Sequence, residues 1–279
     1  MSATILSGRT TREALIPGLK RRVESLKRAP VLAIIQVGER DDSNSYIKSK
    51  KSFGDKIGAE VRHIKLSEGA SQEEVLRVVA DANKDASVDG IIVQLPLPAS
   101  LNRDAIIESV DHSKDADGLT SQARTVPATA RGVLELLKQY DIQLKGKTVT
   151  VIGRSALVGK PIAALCAKEG ANVIVCHRGT PDLKAETLKA DVLIVAAGHP
   201  NLIGKEQVKA GQVVIDVGIN TVKGDKLEDE VEGTKLVGDV DFDAVKEVVA
   251  AITPVPGGIG PMTVLALFEN LLDLCENKV

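Results

Sequence analysis

At 279 residues, 43% of them apolar, the chain is long enough to bury one large or two medium cores. Its 36 Lys and Arg against 38 Asp and Glu leave a formal net charge of −2, which argues against a polyanionic partner. An aromatic content of 2% with no Trp argues against stacking on single-stranded nucleic acid and requires an aliphatic core.

Residues Met1 to Lys20 lack the apolar stretch of a signal peptide. A helix is predicted over Thr11–Lys27, a strand over Val31–Val37, and a helix over Asn44–Ile57 with Ser43 as its N-cap. Tyr46 and Lys50 stand four apart and share a face of that helix. A lysine sheltered beside an aromatic ring has its charged form disfavoured and can move protons, but on this pattern alone Lys48, Lys50 and Lys51 read more readily as a solvated face. A strand over Glu60–Leu66, a helix over Ser71–Lys84 and a strand over Asp89–Leu95 follow. Gln94 interrupts the apolar run Ile91-Ile92-Val93 and must find hydrogen-bond partners, either in the adjacent proline loop or in a ligand at the carboxyl end of the strand.

Residues Asp111 to Ala128 are polar and turn-rich, and Asp117-Gly118 within them is either a tight turn or a carboxylate held for paired donors. After a helix over Ala130–Gln139, the strand Thr148–Ile152 runs into Gly153-Arg154-Ser155-Ala156-Leu157-Val158-Gly159, and a helix is predicted over Lys160–Glu169. A glycine turn in that context brings backbone amides and a helix start to a pyrophosphate, although Ser155 stands where the second glycine of G-x-G-x-x-G would be. The strand Asn172–Cys176 ends in His177-Arg178, where an NAD enzyme usually carries an acid; a cation there suits a ribose 2′-phosphate and favours NADP. Strands over Asp191–Ala196 and Gln212–Val217, a helix over Asp241–Ala250, the loop from Thr253 to Pro261 and a helix over Pro261–Asn277 complete the chain. The longest apolar run, Val192 to Ala197, is too short to cross a bilayer. Cys166, Cys176 and Cys275 fit no metal-ligand spacing and read as reduced, buried thiols of a cytoplasmic protein; the four histidines form no HExxH pattern or triad, so no metal is expected. Asp239 and Asp241 are candidate helix-capping residues near the cofactor, with no role assigned to either.

Strands of continuous apolar character alternating with helices predict an α/β protein of doubly wound parallel sheets. Two domains are expected, residues 1–126 completed by a returning helix at 261–279, and residues 127–260 with a Rossmann-like fold. Ligands would bind in a cleft between them.

Six segments in this order resemble the methylenetetrahydrofolate dehydrogenase/cyclohydrolase family along nearly the whole chain. They are Asp41–Tyr46 with Lys50, Gln94–Pro98, Lys114–Gly118, Gly153-Arg154-Ser155 with Val158-Gly159, Asp216–Asn220 and Thr253–Thr263. The resemblance implies NADP-dependent oxidation of 5,10-methylenetetrahydrofolate and hydrolysis of the methenyl product to 10-formyltetrahydrofolate, in one-carbon metabolism feeding purine biosynthesis. It implies that Lys50 handles protons with Gln94 as its hydrogen-bonded partner, that Tyr46 lines the folate pocket and that Asp117 anchors the pterin edge. Ser43, Leu95, Pro96, Pro256, Gly257, Gly258 and Thr263 complete the implied folate site. Gly153, Arg154, Ser155, Val158, Gly159, His177, Arg178, Ala197, Gly198 and Ile219 form the implied NADP site, in a homodimer joined through the nucleotide domain. The chain departs from the family after Gly118, where Leu119–Val126 is shorter than the usual loop and Pro127-Ala128-Thr129-Ala130 replaces Pro-Cys-Thr-Pro. That departure leaves open a dehydrogenase with weakened cyclohydrolase. A non-catalytic NADP-binding regulator would be expected to have lost Lys50 or Asp117, and an unrelated Rossmann dehydrogenase would leave Gly257–Thr263 unexplained.

Overall fold

The computed structural model describes residues 3–223 and 234–276. The chain divides into two compact units, one of Met1–Arg12 with Thr129–Thr263 and the other of Glu13–Ala128 with Val264–Val279.

The second of these is built on β2 (Val31–Val37), β3 (Glu60–Leu66) and β4 (Gly90–Val93), all parallel in the order β3-β2-β4. β2 is buried throughout because it is the central strand, whereas β3, predicted as buried on both faces, is an edge strand of mostly half-buried residues. The long helices are α1 (Gly8–Glu24), which enters this unit at Glu13, α2 (Asp41–Ile57) and α3 (Gln72–Lys84), followed by a short α4 (Arg103–Glu108). α1 starts three residues before the predicted Thr11, with the Thr10 amide donating to Ser7 Oγ. Ser71 caps α3 by accepting from the Glu74 amide. Ser43 does not cap α2; the helix begins at Asp41 after Arg40, and Ser43 lies buried in its first turn. Val75, Val79 and Ala82 of α3 pack against Ala33, Ile35 and Ile91 of the sheet.

The other unit carries six parallel strands in the order β1-β11-β8-β7-β5-β6. These are β1 (Thr4–Ile5), β5 (Thr148–Ile152), β6 (Asn172–Cys176), β7 (Val192–Val195), β8 (Val213–Asp216) and β11 (Ala251–Ile252). The two-residue strands β1 and β11 escaped the sequence reading because a segment that short carries no periodicity. The helices are α5 (Ala128–Gln139), α6 (Gly159–Lys168), α7 (Leu183–Lys189), α8 (Phe242–Val245) and α9 (Ile259–Glu276), the last passing into the other unit at Val264. An antiparallel pair, β9 (Asn220–Lys223) and β10 (Thr234–Val237), stands apart from the sheet. The helix predicted over Asp241–Ala250 shrinks to α8, capped by Asp241, whose side chain accepts from the Ala244 amide. All three cysteines are free and buried, and burial pushes the Cys166 thiol up to about 12.

The short loop after Gly118 is tied down from several sides. Asp115 accepts from the Gly118 and Thr120 amides at 2.9 and 2.8 Å, and Thr125 Oγ1 donates to the Asp115 carbonyl at 2.6 Å. Fully buried Asn270 of α9 donates to the carbonyls of Ala116 and Val126 at 2.9 and 2.8 Å. Gly118 has φ +71°, and a Cβ there would stand 2.7 Å from the Val126 carbonyl carbon, so no larger residue fits. Replacing Asn270 by Ala strands the buried Ala116 carbonyl and the part-buried Val126 carbonyl and should cost about 1–3 kcal/mol, read as a lowered urea midpoint without loss of helical signal.

Candidate active site

In the β2–β4 unit, polar groups gather at the carboxyl end of the sheet. β4 extends sideways through an isolated parallel bridge between Ile91 and Asp115, with the Ile91 amide donating to the Lys114 carbonyl at 2.7 Å. That register carries Asp117 forward alongside the end of β4, where Gln94 follows Val93. Ser43, Tyr46 and Lys50 lie along one side of α2, at spacings of three and four residues. Ser43 and Lys50 are buried and Tyr46 is half-buried.

Lys50 Nζ donates to Gln94 Oε1 at 2.8 Å. Gln94 Nε2 donates in turn to the Leu95 carbonyl at 2.8 Å, which fixes the amide with its oxygen toward the lysine. At 8% exposure Lys50 is no surface lysine, so the solvated-face reading fails. Burial pushes its amine below the ordinary lysine range, against the opposing pull of Asp117. Asp117 keeps a partly open surface yet is surrounded by enough protein that desolvation pushes its carboxyl up; Lys50 opposes this and Asp115 adds to it. A neutral amine that gives one N–H to a neutral amide oxygen keeps its lone pair free, which is the state a proton acceptor needs.

In the other unit, the strand order reverses direction between β5 and β7, since β6 lies on one side of β5 and β7 on the other. Open α/β sheets bind ligands outside the carboxyl ends at such a switch point. Gly153 follows β5 with φ +113°, and a Cβ on it would lie 2.1 Å from the Ala196 carbonyl oxygen at the end of β7. A Cβ on Gly159 would lie 2.2 Å from the Gly153 carbonyl oxygen, so the loop folds tightly over the start of α6. Ser155, in place of a second glycine, closes that turn: its Oγ accepts from the Val158 and Gly159 amides and its carbonyl from the Lys160 amide. Arg154 and Arg178 are exposed, and His177 Nδ1 accepts from the Gly179 amide at 3.0 Å. Ala197 and Gly198 follow β7, and Ile219 is 42% exposed beside β9.

Of the expected site residues, Ser43, Tyr46, Lys50, Gln94, Leu95, Pro96 and Asp117 belong to the first of these units. Pro256, Gly257, Gly258 and Thr263 belong to the other, where Gly257 has φ +112° and its carbonyl accepts from the Arg9 amide. Among the described residues no cluster of His, Cys, Asp or Glu could hold a metal ion, and no helix is long and apolar enough to cross a membrane.

Comparison with known proteins decides the family. The catalytic-domain model of tetrahydrofolate dehydrogenase/cyclohydrolase matches residues 6–117, and the model of its NAD(P)-binding domain matches residues 127–279. The chain belongs to this family. The two matches break on either side of the shortened loop, residues 118–126. A relative from Sulfurihydrogenibium, named bifunctional protein FolD, is 42% identical over 99% of this chain and 98% of its own. The bifunctional FolD structure from Campylobacter jejuni is 40% identical, covers all of both chains and superposes with a TM-score of 0.91. The Trypanosoma brucei enzyme, solved with NADP cofactor and an inhibitor, is 35% identical over 100% of this chain and 99% of its own, with a TM-score of 0.93.

Sequence reasoning missed Asn270 altogether and left Asp115, Asp216 and Asp239, named in the matching segments or as a capping candidate, without a structural role. Asp216 Oδ1 accepts from the Gly218 and Asp239 amides and Oδ2 from the Val240 amide; burial pushes its carboxyl up to about 7 against those donors. The available signal was the reciprocal pattern Asp216-Val217-Gly218 and Gly238-Asp239, in which each aspartate meets the other's glycine.

The folded-state pKa of Lys50 lies below its unfolded value, so unfolding takes up proton between the two values, and below both the buried amine carries its full cost to stability. That cost fades as pH rises toward the unfolded value of about 10.4. Lys50→Met should therefore be more stable than the wild type at pH 7 by about 1–3 kcal/mol, with the gap narrowing by pH 10; a less stable variant at pH 7 in thermal unfolding contradicts the buried-amine reading.

Proposed function

We propose that this chain oxidises 5,10-methylenetetrahydrofolate to 5,10-methenyltetrahydrofolate with NADP and hydrolyses the product to 10-formyltetrahydrofolate, with Lys50 as the proton-handling group. The observation that carries the lysine assignment is the buried Lys50–Gln94 hydrogen bond beside Asp117, in a family whose relatives are named bifunctional. A dehydrogenase alone has no use for a buried amine, so the monofunctional reading is not favoured, and the short loop is closed by its own hydrogen bonds.

NADP, when bound, accepts the hydride that leaves the one-carbon bridge of the folate. The tight turn from Gly153 to Gly159 would hold its pyrophosphate, and Arg154, Ser155 and Arg178 its remaining phosphate oxygens, a guanidinium offering parallel donors to the 2′-phosphate. The close approach of Gly153 to Ala196 leaves backbone alone at the switch point, which suits a ligand that must lie near the main chain. His177, Val158, Ala197, Gly198 and Ile219 would line the same site.

For hydrolysis, water adds to the carbon of the methenyl bridge between two nitrogens. Lys50 would take one proton from that water. The hydroxyl adduct would then open by breaking the bond from that carbon to N5, which receives the hydroxyl proton as the carbon becomes the formyl group on N10. Gln94 would hold the amine in place through its Oε1. Asp117 would accept donors from the pterin edge, and Tyr46 would pack on its rings. Ser43, Leu95, Pro96, Pro256, Gly257, Gly258 and Thr263 would complete the folate surroundings. Domains corresponding to residues 1–126 with 261–279, and to 127–260, would divide the folate and nucleotide tasks.

A cytoplasmic setting and a contribution to purine biosynthesis fit three buried free thiols and a folate substrate. The edge strand β6, with Val175 42% exposed, supports a homodimer paired through the nucleotide domain. Sedimentation at micromolar concentration should give twice the chain mass, and a monomer there rejects the pairing.

With methylenetetrahydrofolate, purified protein should reduce NADP in preference to NAD and accelerate the decay of methenyltetrahydrofolate. Lys50→Met should lose hydrolysis by about 100-fold or more while its folate affinity changes far less. Hydrolysis at the wild-type rate in that variant ends the lysine assignment.

A further inference from the structure

Asp239 is fully buried, and its carboxylate takes in the amides of three successive residues, Ala197 at 2.7 Å, Gly198 at 2.8 Å and His199 at 2.8 Å. Asn220 Nδ2 donates to the same group at 2.8 Å. Three consecutive amides converging on one point form an anion-binding nest, and here the anion is the protein's own side chain. The loop concerned follows β7, directly across the switch point from the Gly153 turn.

The carboxylate is itself fixed. Asp216 Oδ1 accepts from the Asp239 amide at 3.1 Å and Oδ2 from the Val240 amide at 2.9 Å. A Cβ on Gly218 would fall 2.2 Å from Asp239 Cγ, and one on Gly238 would fall 1.8 Å from Asp216 Oδ2, so each aspartate occupies the space the other's glycine leaves. Gly198 holds φ +65° in the captured loop, a conformation that costs glycine nothing but that few other residues adopt.

We infer that Asp239 is a positioning residue for the cofactor: it fixes the 197–199 loop in its binding shape, and by filling the nest it keeps phosphate groups off that loop. The dinucleotide's phosphates are thereby confined to the 153–159 turn, and the loop after β7 is left to meet uncharged, hydrogen-bonding parts of the ligand. This rests on the reading of the switch point as the NADP site.

The test is Asp239→Asn in the full-length protein. An amide keeps the size of the side chain but turns one acceptor into a donor that faces the loop amides. NADP affinity by fluorescence titration should fall about tenfold or more, the loss expected when charge-assisted bonds holding the loop are withdrawn. The ratio of dehydrogenase to hydrolysis rate on supplied methenyltetrahydrofolate should fall with it, whereas general misfolding would lower both rates together. Unchanged NADP affinity, with hydrogen exchange at 197–199 accelerated, overturns the inference. Should Asp239→Asn not fold, Asn220→Ala decides: it withdraws one donor from Asp239 and should weaken NADP in the same direction, and an unchanged affinity again overturns the proposal. Hydrogen exchange on the wild type separates the two readings, because NADP that binds without protecting 153–159 refutes the site itself rather than the role of Asp239.

Discussion

Where a parallel strand begins or ends, the chain leaves its regular hydrogen-bond ladder, and the amides released inside the protein must be taken up by something. In this protein they are taken up by aspartates. Asp89 and Asp191 stand just before β4 and β7, and each accepts from the first amide of the neighbouring strand, Val31 at 2.9 Å and Thr148 at 2.8 Å. At the carboxyl ends Asp115 gathers Gly118 and Thr120, Asp216 gathers Gly218, Asp239 and Val240, and Asp239 gathers the loop after β7. A carboxylate offers several lone pairs to converging donors, so one side chain can satisfy two or three buried amides that would each cost stability if stranded.

Lys50 is the counterpoint. Its hydrogen-bond partner is a neutral amide oxygen, and the nearby carboxylate of Asp117 is itself pushed up by burial. Gln94 brings no charge, and the pull of Asp117 opposes burial without cancelling it, so the amine lies below the ordinary lysine range. Burial of that amine costs stability, while the aspartates around the sheet ends take up amides that would otherwise be stranded. The loop after Gly118 fits this division: it is held by Asp115 and Asn270, and it delivers Asp117 alongside Gln94 through the register of Ile91 with Asp115.

Much of the fold was legible from the sequence because β2, β7 and β8 are aliphatic runs with little polar alternation, the pattern of a strand covered on both faces. Four strands went unseen: the short antiparallel pair β9 and β10, and β1 and β11, which exist only because each pairs with a neighbour distant in sequence. The predicted helix after Asp241 failed because its amphipathic pattern extends past the point where Lys246 closes the helix. Ser43 looked like a cap by residue type, but the chain had already turned into helix at Asp41.

The sequence by itself determined the family, through six ordered segments, and with it the reaction, the cofactor and the residues worth suspecting. It also determined the glycines at 118, 153 and 159, whose positions in turns mark close backbone approach. The tertiary structure alone decided that Lys50 is a buried amine and not one of a row of surface lysines, because desolvation depends on what surrounds a side chain and not on its neighbours along the chain. It alone showed that Asp239, 40 positions from His199, holds the loop after β7, since a hydrogen bond between residues far apart leaves no periodic trace in sequence.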